Sequence, residues 1–209
     1  MKKVQFITAV HGDEYIPVLA LANLGIKQLV ANKNALILRK RFIEKDLNAS
    51  FSTSGGSYEE KIARRILKKI DKNKIVLDLH TFSAKSDPFV VIVDLKMLAF
   101  AKKLGFKHVV YMKHNIKNGH ALINYVKGVS IELGNHDDIE VFNRIVNLVK
   151  CIANNRKQEK IILYEVYGKI EKPGNYKNFE IYKNNFIPIL AGEKSYDFYG
   201  LKGRKIDIL

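Results

Sequence analysis

His11 and Glu14 stand three positions apart, where the apolar run Val4 to Val10 gives out at Gly12. Imidazole nitrogen and carboxylate oxygen are donors that zinc takes readily, and a catalytic zinc needs three protein ligands plus an open position. Two later residues have the right chemistry to complete such a centre. His80 closes the stretch KIVLDLH, and Glu132 is the lone acid inside GVSIELG. An H-x-x-E pair is common by chance, and a lone histidine is more often structural than ligating. Position separates the readings, because open α/β sheets gather ligands at the carboxyl ends of their strands. Glu132 is costly to bury without purpose. Desolvation raises a carboxyl pKa, which suits a general base. Asp78, two residues before His80 and on the same strand face, can orient a ligand or serve as an ordinary loop-edge acid.

The elements that must position these groups follow from periodicity. Val4 to Val10 reads as a buried strand, Gly12 permits a sharp turn, and YIPVLALANL takes helical spacing. Ala35 to Leu38 forms a second apolar run, and RFIEKDLNASFSTSGG reads as a long loop of the kind that carries function. Ser57 and Glu60 form a capping box for a helix whose apolar face is Ile62, Ile66, Leu67 and Ile70. KIVLDLH, PFVVIVD, HVVYM and GVSIELG are strands, LKMLAFAKKLGF and DDIEVFNRIVNLVKCIANN helices. Composition shifts at NNRKQEK, after which short strands and turns replace helical spacing. The expectation is a mixed α/β sheet with helices on both faces over residues 1–156, and a small β subdomain at the active-site rim over 157–209.

At 209 residues the chain can bury a sizeable core. Its 47% hydrophobic and 27% charged residues exclude a disordered chain. The net charge of +15 admits nucleic acid, an anionic membrane surface or acidic small molecules as partners. The lysines are spread along the sequence with no recognition motif, so no specific nucleic-acid binding is expected. Cys151 is the only cysteine, which excludes an internal disulfide and a cysteine metal cluster. With no signal-peptide pattern and no membrane-length apolar stretch, a cytoplasmic location without membrane is expected. The oligomeric state is not legible.

HGDE near the N-terminus, DLN in the long loop, DLHT, IELG and FIPILAGEKSY occur in the order of a known family. Together they resemble the aspartoacylase and succinylglutamate desuccinylase family, of the zinc carboxypeptidase-like superfamily. The resemblance implies one zinc ion on His11, Glu14 and His80, with Glu132 as acid-base residue. It further implies that Arg41 polarises the scissile carbonyl, Asn48 helps hold a substrate carboxylate, and Tyr196 reaches the substrate from the β region. Bland alternatives are a solvated loop cation for Arg41 and an Asx-turn for Asn48. The family pattern has arginine after the asparagine, where this chain has Ala49. The segment KHNIKNGHALINY, upstream of Glu132, where a second substrate arginine is expected, offers Lys113, Lys117 and His120 but no arginine.

The implied activity is zinc-dependent amide hydrolysis of a small N-acyl amino acid or related acidic compound. A guanidinium aimed at the developing oxyanion contributes roughly 3–4 kcal/mol, and a carboxylate base returns the proton to the leaving amine. One rival is a metallocarboxypeptidase acting on a short peptide or cell-wall fragment. Another, of a different class, is a non-catalytic basic binding protein on the same fold.

Overall fold

The computed structural model describes residues 3–113, 119–157, 160–183 and 185–207. In chain order the elements are β1 (Val4–Thr8), α1 (Ile16–Asn23), β2 (Gln28–Val30), α2 (Lys33–Ile37), α3 (Tyr58–Lys69), β3 (Ile75–Phe82) and β4 (Phe89–Ile92). There follow α4 (Leu98–Ala101), β5 (His108–Tyr111), β6 (Gly128–Asn135), α5 (Glu140–Ala153), β7 (Ile162–Lys169), β8 (Ile187–Ile189) and β9 (Leu201–Lys205). Single 3-10 turns lie at Leu47–Ala49, Leu95–Met97 and Leu122–Asn124.

The strands form one mixed sheet in the order β2-β1-β3-β6-β4-β5-β7-β9-β8. β1, β3 and β6 run parallel, and β4 turns the direction by pairing antiparallel with β6. Alternation along β3 and β6 divides the sheet's two faces. Leu77, Leu79, Val129, Ile131 and Leu133 join the core under α1 and α5. The intervening residues Asp78, His80, Ser130 and Glu132 turn to the opposite face, as a period of two requires. That second face is covered by α3 through Ile62, Ala63 and Ile66 on one side. Phe89, Val91, Val110 and Tyr164 pack there with Ile187, Ile189 and Leu201 on the other. The polar residues lie at the seam between these two apolar patches.

Helices on both faces of a mixed sheet agree with the sequence reading. The C-terminal strands extend the same sheet: β7 pairs parallel with β5, and β9 joins β7 to β8. The expected helix over 95–106 shrinks to a 3-10 turn and the four-residue α4, and the chain then turns at Gly105 with φ +83°. FEIY forms no strand of its own and meets Phe186 through a single bridge at Tyr182. Cys151 is buried on the apolar face of α5.

Candidate metal centre and cleft

β1 and β3 are neighbours in the sheet, so the turn after β1 lies beside the end of β3. That turn is made sharply. Gly12 donates its N–H to Arg41 O (3.1 Å), and a Cβ at Gly12 would collide with the backbone of Ala35 and Leu36. His11 and Glu14 thereby face His80. His11 Nδ1 lies 2.6 Å from Glu14 Oε1, and His80 Nδ1 lies 3.0 Å from Glu14 Oε2. All three residues are buried, and each offers a ligating atom within 4.8 Å of the others.

The second ring nitrogen of each histidine meets an acid. His11 Nε2 is 3.1 Å from Asp46 Oδ1, and His80 Nε2 is 2.9 Å from Asp78 Oδ2. A carboxylate hydrogen-bonded behind a ring fixes its tautomer and orientation, as around protein-bound zinc; Asp46 makes that bond to His11, while Asp78 lies close to His80 Nε2 without hydrogen-bond geometry. Two imidazoles and a carboxylate fit a zinc donor set. Electrostatics agrees with the geometry. Burial opposes charge on Glu14, yet His11 and His80 outweigh it and hold the carboxyl far below its ordinary range. Burial likewise disfavours charge on His80, but Asp78 and Glu14 override it and raise the imidazole well above its usual value.

A cleft of about 80 Å³ opens beside this cluster, room for a few waters or a small acyl group. The candidate ligands, base and substrate-contacting residues all line it: His11, Glu14, Arg41, Asn48, His80, Glu132 and Tyr196, while Asp78 lies behind His80 and off the wall. Glu132 is the register partner of His80 across the β3–β6 ladder. Its side chain is partly open to the cleft, while burial of the carboxyl pushes its pKa up to about 8. Arg41 extends over the cluster, with Nη1 3.9 Å from Glu14 Oε1 and Nη2 3.5 Å from Asp46 Oδ2. Tyr196 comes from the C-terminal segment, and burial together with the nearby Glu132 and Glu193 raises its phenol well above its ordinary value.

Asn48 has a structural duty as well. Its Oδ1 accepts the Leu122 N–H at 3.1 Å, tying the loop to the segment before β6, and its Nδ2 makes no hydrogen bond to a described residue. Ala49 does not line the cleft. Of the cations considered in place of an arginine, Lys113 is exposed and Lys117 lies outside the described residues. His120 turns its Nδ1 to Phe51 O at 3.0 Å. Among the described residues, Arg41 is the one lysine or arginine on the cleft wall.

Two residues gained their importance only from the structure. Asp46 receives the Asn48 N–H (2.8 Å) while facing both His11 and Arg41; its place in DLN was the available signal. Glu193, buried on the cleft wall, accepts Ser83 N–H at 2.7 Å and Ser195 N–H at 3.1 Å. Glu193 thus fastens the segment carrying Tyr196 to the turn after β3.

A mixed α/β sheet with a His-Glu-His cluster at the ends of two parallel strands defines an α/β protein with a candidate metal centre. Residues 1–156 match the family model of the succinylglutamate desuccinylase/aspartoacylase catalytic domain, and the chain belongs to that family. A probable aspartoacylase of Prochlorococcus marinus subsp. pastoris is 24% identical over 182 residues, covering 74% of this chain and 62% of that protein. The chain therefore matches less than two thirds of that relative's length. Succinylglutamate desuccinylase of Chromobacterium violaceum has a similar fold, with TM-score 0.75 and 15% identity over 99% of this chain and 85% of that one. Murine aminoacylase 3 superposes with TM-score 0.73 and 18% identity over 98% of this chain and 95% of that one.

Proposed function

We propose that the chain is a zinc-dependent deacylase that hydrolyses the amide of a small N-acyl amino acid or related acidic compound. The observation that carries the reading is convergence. The His11–Glu14–His80 cluster, Glu132 and Arg41 come from four separate stretches of sequence and line one cleft. Membership of the family supports the reaction class.

His11, Glu14 and His80 would hold the ion, which supplies Lewis acidity and an acidified water when bound. Glu132 takes the proton at its carboxylate and returns it to the departing amine nitrogen, and its raised pKa suits both halves of that exchange. Arg41 presents its guanidinium to the oxygen that gains charge as the carbonyl becomes tetrahedral. Asn48 Nδ2 and the Tyr196 hydroxyl are the donors left to orient the substrate. With Ala49 in place of the family's arginine, a bidentate grip on the α-carboxylate is absent from its usual position. The acyl group and amine are for that reason drawn more broadly than in the relatives' names.

A hydrolysis screen of zinc-loaded protein tests this against a panel of N-acyl amino acids and short peptides. Zinc-dependent release of a free amino acid from the first group supports the proposal. Activity confined to peptides would favour the carboxypeptidase reading. No turnover and no zinc retention at neutral pH would favour a binding protein on this fold.

A further inference from the structure

Glu59 is fully buried, with 0% of its surface exposed. It lies in the first turn of α3, yet it is not the cap of that helix. Ser57 accepts the Glu60 N–H at 3.3 Å, and the Glu60 carboxylate accepts the Ser57 N–H at 2.9 Å, so its neighbours close the helix end. The Glu59 carboxylate reaches across to the long loop instead. Its Oε1 accepts Ile43 N–H (2.7 Å) and Asn32 Nδ2 (3.0 Å), and its Oε2 accepts Glu44 N–H and Lys45 N–H (3.1 Å each). A carboxylate is costly to bury unless its oxygens are met, and here four donors meet them.

The next residue in the chain is Asp46, which backs His11 and pairs with Arg41. Asn32 works on the other side: its Oδ1 caps α2 by accepting Ala35 N–H at 3.2 Å. The backbone of Ala35 and Leu36 in turn leaves no room for a Cβ at Gly12, directly after His11. One carboxylate therefore joins the loop bearing Asp46 to the helix wall that shapes the His11 turn. We infer that Glu59 is a positioning residue for the metal centre, holding Asp46 against His11 through three consecutive backbone N–H groups.

The inference rests on the deacylase reading only in placing a metal at His11, and its test reads no turnover. In Glu59→Gln the amide NH2 would face at least one pair of N–H donors, while side-chain volume is kept. Zinc affinity is measured by competition with a chelator for wild type, E59Q, Asp46→Asn and the double variant, alongside amide hydrogen exchange. Loss of an outer carboxylate partner lowers metal affinity about 10- to 100-fold. E59Q and D46N are each expected to weaken zinc at least about tenfold. The double variant should be little worse than D46N alone, because both act through the same His11 contact. A merely structural role for Glu59 would make the two losses multiply, and that result overturns the inference.

The wild type supplies the arm that needs no folded variant. The side chains of Phe42, Ile43 and Glu44 are exposed, yet the amides of Ile43, Glu44 and Lys45 should exchange as slowly as those of β3. Rapid exchange there overturns the inference. A wild type that binds no zinc overturns the deacylase reading instead, and the exchange result then decides the role of Glu59 alone.

Discussion

At the scale of single residues, the proposed function puts the chemistry on Glu132 and the metal on the three clustered donors. Glu132 lines the cleft beside His80 but is not one of those donors. Glu132→Gln keeps shape and burial while removing the base, so turnover should fall by about 10²–10⁴-fold with zinc content unchanged. Metal analysis beside steady-state kinetics checks this, and a fully active variant would refute the role. The same residue makes a second prediction in metal-free protein. Its folded pKa of about 8 lies above the ordinary 4.5, so between these values the folded state holds a proton that the unfolded state has released. Stability from this group is present at acid pH and lost as pH rises through that window. Urea midpoints at pH 5 and pH 8 should show E132Q gaining on wild type at the higher pH; an equal difference at both would contradict the raised pKa. His11, Glu14, His80 and Glu132 stood out because each is a polar group inside or just after an apolar strand stretch. Asp46 and Glu59 did not, because their meaning lies in which donors they meet across the fold, and an acid in a loop or in a helix's first turn has an ordinary explanation at hand.

At the scale of elements, long strands and amphipathic helices were legible from period and caps: β1, β3, β6, α3 and α5 all follow their patterns. The short ones were not. β2 is three residues, Gln28 to Val30, and β9 is LKGRK, with a glycine and three cations; each is a strand only because a neighbour supplies the ladder. α2 was hidden because a five-residue helix has no period to read, and its one local signal is the Asn32 cap. The capping box of α3 carries a measurable consequence. Ser57→Ala removes the acceptor for Glu60 N–H and should cost about 1 kcal/mol, read as a lower denaturant midpoint with unchanged slope. A loss near zero would mean that packing of Ile62, Ala63 and Ile66 against Leu47 and Phe51 alone sets the helix start.

For the whole molecule, the question is what an excess of fifteen positive charges does for a cleft whose own wall carries more acids than cations. Glu14, Glu132 and Glu193 face Arg41 across it, and the ion that the proposed site would hold adds its own charge there. The net +15 comes from cations spread along the chain and acts at a distance. Distant charges are screened, with a Debye length of about 30 Å at 0.01 M salt and about 8 Å at 0.15 M. A field of this kind raises encounter rates without altering the bound state. For an anionic N-acyl amino acid, kcat/KM should therefore fall several-fold as sodium chloride rises from 0.01 to 0.3 M, while kcat stays level. A neutral N-acyl amide of similar size should show no such slope. Equal salt dependence for both substrates would mean that the positive charge serves some other partner, and that the acidic character of the substrate has to be argued from Arg41 and Asn48 alone.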